Sequence, residues 1–143
     1  MDEILKKSEA VDLLEIMFNI CLTRKTAVLD KMGINEVEYN FFMQLDKCLD
    51  MNIMQIAEAM KLPQTRISRM TDKFLKKGLL KRELQKTDQR VVKLVYTDKG
   101  NEMYNYAIEN KCIGENRIKD ILKEEKYIEF KKILKKLIDD YGL

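Results

Sequence analysis

Between Met54 and Thr97 the spacing of apolar and polar positions predicts four short elements in succession. Met54-Gln55-Ile56-Ala57-Glu58-Ala59-Met60 reads as a brief amphipathic helix, broken at Lys61-Leu62-Pro63. A second helical run follows from Gln64 to Lys77. In it Ile67, Met70 and Phe74 recur at three- and four-residue steps and so share one inward face. Pro63 suits a first helical position, where a missing N–H costs nothing, and Gly78 after Lys76 and Lys77 is ordinary stop chemistry. Two strand-like stretches close the region, Leu79 to Gln85 and Arg90 to Thr97. The residues joining them contain no glycine, which disfavours a two-residue turn and favours a longer projecting loop.

Arg66, Arg69 and Lys73 repeat the steps of the apolar stripe one residue earlier, which turns them about 100° around the axis toward solvent. Gln64, Thr65 and Ser68 lie near the start of the same helix, with amides and hydroxyls suited to base edges or phosphates. Helix, tight turn, helix and hairpin is the order of a winged helix-turn-helix, and its basic second helix is expected to enter a DNA major groove. The hairpin tip adds Lys86, Gln89 and Arg90, and a guanidinium on such an arm suits the negative potential of a minor groove. Asp72, on the second helix, is placed to hold Arg90 back from DNA in the free protein.

The flanks are helical. Leu14, Phe18, Cys21 or Leu22, and Ala27-Val28 keep helical spacing within one long helix read over residues 3–31, and Met17, Ile20 and Leu29 widen its apolar surface. Asn35 followed by Glu38 resembles a capping box. The helix it opens turns Val37, Phe41, Phe42 and Leu45 inward and ends before Asp50. Thr97-Asp98 starts another, to about Asn110, with Met103, Ala107 and Ile108 on one side; Gly114 marks a break. A last helix from about Ile121 aligns Tyr127, Phe130, Leu134, Leu137 and Tyr141. The expectation is a single domain over residues 1–143, mainly α with a small β-hairpin wing. Residues 35–97 form the winged helix core, and 1–34 and 98–143 supply helices whose apolar surface exceeds what one small domain covers. They are expected to build a homodimer.

Charge sharpens this picture. The net charge of the 143 residues is only +3. Residues 61–90 nevertheless carry ten basic and three acidic side chains, against six and eleven in residues 1–60. Positive charge thus sits on the second helix and hairpin, where phosphate binding needs it. No apolar run reaches membrane-spanning length, and the acidic start Met1-Asp2-Glu3 does not resemble a secretory signal. Cys21, Cys48 and Cys112 are odd in number and scattered, which suits a reducing cytoplasm better than a disulfide framework.

Enzymatic chemistry has little to stand on. There is no histidine, no glycine-rich phosphate loop and no cysteine pair at zinc-ligand spacing, so neither catalytic residues, metal nor cofactor is expected. Asp139-Asp140 and Glu124-Glu125 are sequence neighbours that point apart on a helix and read as solvated charge. For an effector, Met17, Phe18, Phe42 and Met43 are candidate apolar lining, with ordinary core as the equally weighted alternative. Two other functions stay open. One is a winged helix that binds protein; the other is redox sensing at Cys21, on the apolar side of the first helix with only Arg24 and Lys25 near enough to lower its pKa.

The run from Gln55 to Leu80 resembles the central motif of MarR-type transcription regulators. Asp88-Gln89-Arg90 is similar to that family's D-x-R, and Leu94, Thr97, Asp98, Lys99 and Gly100 to its closing L-x-x-T-x-K-G. The resemblance implies a homodimer on a palindromic double-stranded operator, with recognition helices in adjacent major grooves and wings in the minor groove. It further implies a repressor released by small phenolic or lipophilic ligands or by cysteine oxidation. Lys61 stands where the family often has glycine, so a non-glycine residue at positive φ is expected there. Met54 and Pro63 stand where a capping Ser or Thr is common.

Overall fold

The computed structural model describes residues 2–48, 51–84 and 92–141. Its elements are α1 (Asp2–Lys7), α2 (Ala10–Met32), α3 (Glu36–Gln44) with a 3-10 turn (Leu45–Cys48), α4 (Ile53–Met60), α5 (Gln64–Lys76), β1 (Leu80–Leu84), β2 (Val92–Tyr96) and α6 (Asp98–Asp140). The chain divides into two units, Met1–Ala107 and Ile108–Leu143.

In the first unit the expected single helix over residues 3–31 is instead two. The Ser8 hydroxyl donates to the Ile4 carbonyl at 2.8 Å, and Glu9 starts α2 through a reciprocal box with Asp12. Local caps therefore interrupt a segment whose apolar spacing alone runs on. α2 stops at Gly33, whose φ of 66° is the left-handed conformation glycine adopts without strain. Asn35 and Glu38 form the expected capping box at the start of α3, each side chain accepting the other's N–H at 2.9–3.0 Å.

The core lies between α3, α5 and the hairpin. Phe41, Phe42, Ile56, Ile67 and Phe74 are essentially inaccessible. The Phe42 ring sits 5.0 Å from both Phe74 and Tyr96, and Tyr96 lies 5.4 Å from Tyr104. The Tyr96 hydroxyl donates to the Phe42 carbonyl, and burial pushes its proton affinity far above the ordinary phenol value. Each of these apolar side chains stabilises the fold by about 1.5–3 kcal/mol when fully buried.

The hairpin pairs antiparallel, Leu80 opposite Tyr96 and Arg82 opposite Leu94. Where it meets α6, the closing motif acquires its physical meaning. The Thr97 hydroxyl donates to the Gly78 carbonyl at 2.6 Å and accepts the Gly100 N–H at 3.0 Å, capping α6. Gly100 lies so close to Leu79 that a β-carbon would fall 1.9 Å from its carbonyl oxygen.

The second unit is helical but bent. Gly114 stays within the helix, contrary to the expected break, and the departure comes at Lys123 (φ 63°, ψ 167°). Beyond it the Tyr127 hydroxyl bonds the Glu115 carboxylate, and Lys119 and Lys131 place their ammonium groups 5.2 and 5.5 Å from the Tyr127 ring centre. In a straight helix positions 115 and 127 would stand about 18 Å apart, so the contact requires the chain to fold back. One glycine inside a helix costs only about 1 kcal/mol, too little to set a break against such contacts. Of the expected C-terminal stripe, Tyr127 is buried, Phe130 and Leu134 are half-buried, and Leu137 and Tyr141 are exposed.

Candidate nucleic-acid interface

α4 begins at Ile53, one residue before the sequence placed it, because Asn52 and Gln55 cap it reciprocally at 2.9 Å. It ends at Lys61, which takes the left-handed conformation (φ 53°) expected of a non-glycine residue there, and Leu62 donates back to the Ala57 carbonyl at 3.1 Å. Pro63 (φ −59°, ψ 140°) immediately precedes α5 and is not its first helical residue. Its carbonyl accepts the Arg66 and Ile67 N–H groups at 3.0 and 3.2 Å. α5 is thereby launched across α4 with Ile67, Met70 and Phe74 buried, as their spacing predicts.

On the opposite side of α5, Gln64, Thr65, Arg66 and Arg69 are exposed and Ser68 is half-buried. These five stand together on the first two turns. Lys73 does not join them: its ammonium lies 2.9 and 2.7 Å from the two carboxylate oxygens of Glu38 on α3. The sequence pattern put Lys73 on the free cationic stripe because helical spacing carries no information about a partner 35 residues away.

Lys86, Gln89 and Arg90, with Asp88, lie outside the described residues. Asp72 has a different partner among those that are described. Arg82 Nη2 on β1 stands 3.6 Å from Asp72 Oδ1, both side chains well exposed. Arg82 is not among the residues that the basic stripe of α5 or the hairpin loop singles out in sequence. Strand alternation was the available signal, since Arg82 is two residues from the buried Leu80 and shares its side of the hairpin.

The four candidate effector residues fall into two environments. Phe42 is wholly buried in the core against Phe74 and Tyr96; Met43 is half-buried. Met17 and Phe18 are exposed on α2, Phe18 by 64%, along with Val11, Leu13, Leu14, Ile16 and Ile20. Cys21, placed by its spacing on the apolar side of the helix, is exposed as well. Lys25 nearby is engaged with Glu36 at 2.8 Å. Cys48 is buried, and burial, seconded by the charge of Asp46 and opposed by Lys47, pushes its thiol above the usual range. Tyr104 donates to Asp46 at 2.9 Å, and that bond, with burial next, raises its phenol. Among the described residues no cluster of acidic, histidine or cysteine side chains could hold a metal, and no helix is long and apolar enough to cross a membrane.

Comparison with known proteins agrees with this geometry. Residues 34–92 match the sequence model of the MarR family. The HTH-type transcriptional repressor MdtR of Bacillus subtilis strain 168 is 25% identical over 109 residues, 76% of this chain and 70% of the relative. Among solved structures, S. aureus MepR bound to ethidium bromide superposes with a TM-score of 0.81 at 16% identity, over 96% of this chain and 99% of that one. The S. aureus MepR–DNA complex gives 0.75 at 16% identity, over 92% and 99%. YusO of Bacillus subtilis gives 0.68 at 21% identity, over 93% and 99%. These likenesses establish the winged helix fold.

Proposed function

We propose that this chain, a member of the MarR family of winged helix-turn-helix regulators by the match over residues 34–92, is a dimeric DNA-binding repressor released by a small lipophilic or phenolic effector. The observation that carries the DNA-binding part is the exposed group Gln64, Thr65, Arg66, Ser68 and Arg69 on α5. It is backed by the buried Ile67, Met70 and Phe74, which make the helix a rigid support for polar side chains. Arg66 and Arg69 are suited to bidentate contacts with guanine, and the shorter side chains to base edges and phosphates.

Dimerisation is supported by the apolar surface of α2. Seven large apolar side chains from Val11 to Ile20 are each 40–64% exposed in one protomer, far more than a soluble monomer ordinarily leaves in one place. A second copy covering this surface would space two α5 helices for a palindromic operator. Repression is supported by likeness to MdtR, named a repressor, and a small lipophilic effector by likeness to MepR, which has been solved with ethidium. Lys25, one of the two basic residues near Cys21 in sequence, is paired with Glu36, and release by a ligand is favoured over release by oxidation.

The test is genome-wide mapping of bound sites followed by fluorescence anisotropy on the recovered duplexes at physiological salt. A palindromic site bound at least about a thousandfold more tightly than random duplex supports specific regulation. Equal affinity for all duplexes, or none, would favour the protein-binding alternative.

A further inference from the structure

We infer that Glu38 is a positioning residue for α5, acting through Lys73, and that Lys73 is held for this purpose and is not a phosphate ligand. This rests on the assignment of α5 as the DNA-reading helix. The Glu38 carboxylate is fixed before Lys73 reaches it. Its Oε2 accepts the Asn35 N–H at 3.0 Å while the Glu38 N–H donates to Asn35 Oδ1 at 2.9 Å, which sets the rotamer by the capping box. Lys73 Nζ then lies 2.9 Å from Oε1 and 2.7 Å from Oε2, so two of its three protons are directed at one carboxylate. The Glu38 side chain is only 13% exposed and that of Lys73 39%, which shields the contact from water relative to the outer face of the helix.

The location explains why such a pin is useful. The apolar contacts of Ile67, Met70 and Phe74 hold α5 against the core, but they are non-directional and tolerate small rotations about the helix axis. A charge-assisted contact between Phe74's neighbour and a rigid capping carboxylate is directional and selects one rotation. That rotation decides where Arg66 and Arg69 point. Two residues earlier on the same turn of α3, Glu36 holds Lys25 of α2 at 2.8 Å, so this turn is tied both to α2 and to α5.

The two roles of Lys73 differ in sign. Removing the Glu38 charge should strengthen attraction to phosphates if Lys73 is merely released to DNA; it should weaken operator binding if the pair positions the helix. The variants are Glu38→Gln, which keeps an acceptor for the cap, Lys73→Gln, and both together in the intact protein, each measured on operator duplex across a salt series. Positioning predicts a loss of about tenfold for either single variant, a double variant no weaker than the singles, and an unchanged salt slope. Unchanged or tighter binding by Glu38→Gln, with a slope flattened by about one unit in Lys73→Gln, would overturn it and make Lys73 a phosphate ligand. Amide exchange of the DNA-free proteins decides independently of any operator. Faster exchange over residues 64–76 in both single variants supports the pin, and unchanged exchange there refutes it. A wild-type protein without operator preference would instead remove the DNA-reading assignment, leaving the exchange result to stand on its own.

Discussion

Glu38 Oε2 stands 2.7 Å from Lys73 Nζ, joining the first turn of α3 to the last turn of α5 across 35 residues of sequence. Burial pushes the Glu38 carboxyl up. The Lys73 hydrogen bond, the Asn35 N–H, and the charges of Lys73 and Lys77 outweigh it and hold the group below its ordinary value of 4.5. A carboxyl depressed in the folded state contributes stability that is present above the ordinary value and is lost as pH falls through the folded one. Urea unfolding should therefore show wild type more stable than Glu38→Gln near neutral pH, with the difference closing as pH drops below about 4.5. A gap of constant size across that range would show that the carboxylate charge is not what stabilises.

Gly100 faces the Leu79 carbonyl with no room for a side chain. Because the obstructing atom is backbone, Gly100→Ala has to displace the junction between β1 and α6. A loss of about 1–3 kcal/mol in thermal unfolding is expected. Thr97→Ala removes the cap and the bond to Gly78 and should cost about 1 kcal/mol.

Lys61 offers the opposite case. It closes α4 in a left-handed conformation that carries a penalty for any residue with a β-carbon. Lys61→Gly should raise stability by up to about 1 kcal/mol, read as a higher urea midpoint with an unchanged slope. No gain would mean that the lysine side chain offsets the backbone penalty.

Arg66 and Arg90 are expected to act differently on DNA. Arg66→Ala on α5 should change which operator variants are preferred, by about 1–3 kcal/mol at the base it reads. Arg90→Ala, between β1 and β2 in sequence, should weaken all sequences alike and flatten the salt dependence by roughly one unit. An operator panel titrated at several salt concentrations separates them, and an unaltered slope in Arg90→Ala would mean that Arg90 does not touch DNA.

Truncation after Asn110 removes the buried Tyr127 together with exposed Ile121, Ile128, Leu137 and Ile138. Loss of the dimer by sedimentation, and with it tight DNA binding, is expected. A truncated protein that stays dimeric would place the interface on α2 alone.

Much of this protein was legible from sequence because the controlling interactions are local. Ile67, Met70 and Phe74 declare their shared face by spacing alone. Asn35 and Glu38 declare a cap from only three positions apart, and Lys61, between two short amphipathic runs, has to turn the chain whatever surrounds it. Tertiary structure decided the rest wherever one residue had two locally acceptable fates. Lys73 sits one step from the apolar stripe, so its spacing fits solvent or a partner equally, and only the approach of α3 supplies Glu38. The spacing of Phe42 fits more than one surrounding, and the tertiary structure buries it against Phe74 and Tyr96. Asp72 has Arg82 beside it because β1 returns alongside α5, a pairing set by the hairpin and not by helical period. The bend at Lys123 is the clearest instance. Nothing in its neighbours forbids a helix, and the contact of Tyr127 with Glu115, twelve positions earlier, exists only once the chain has folded back.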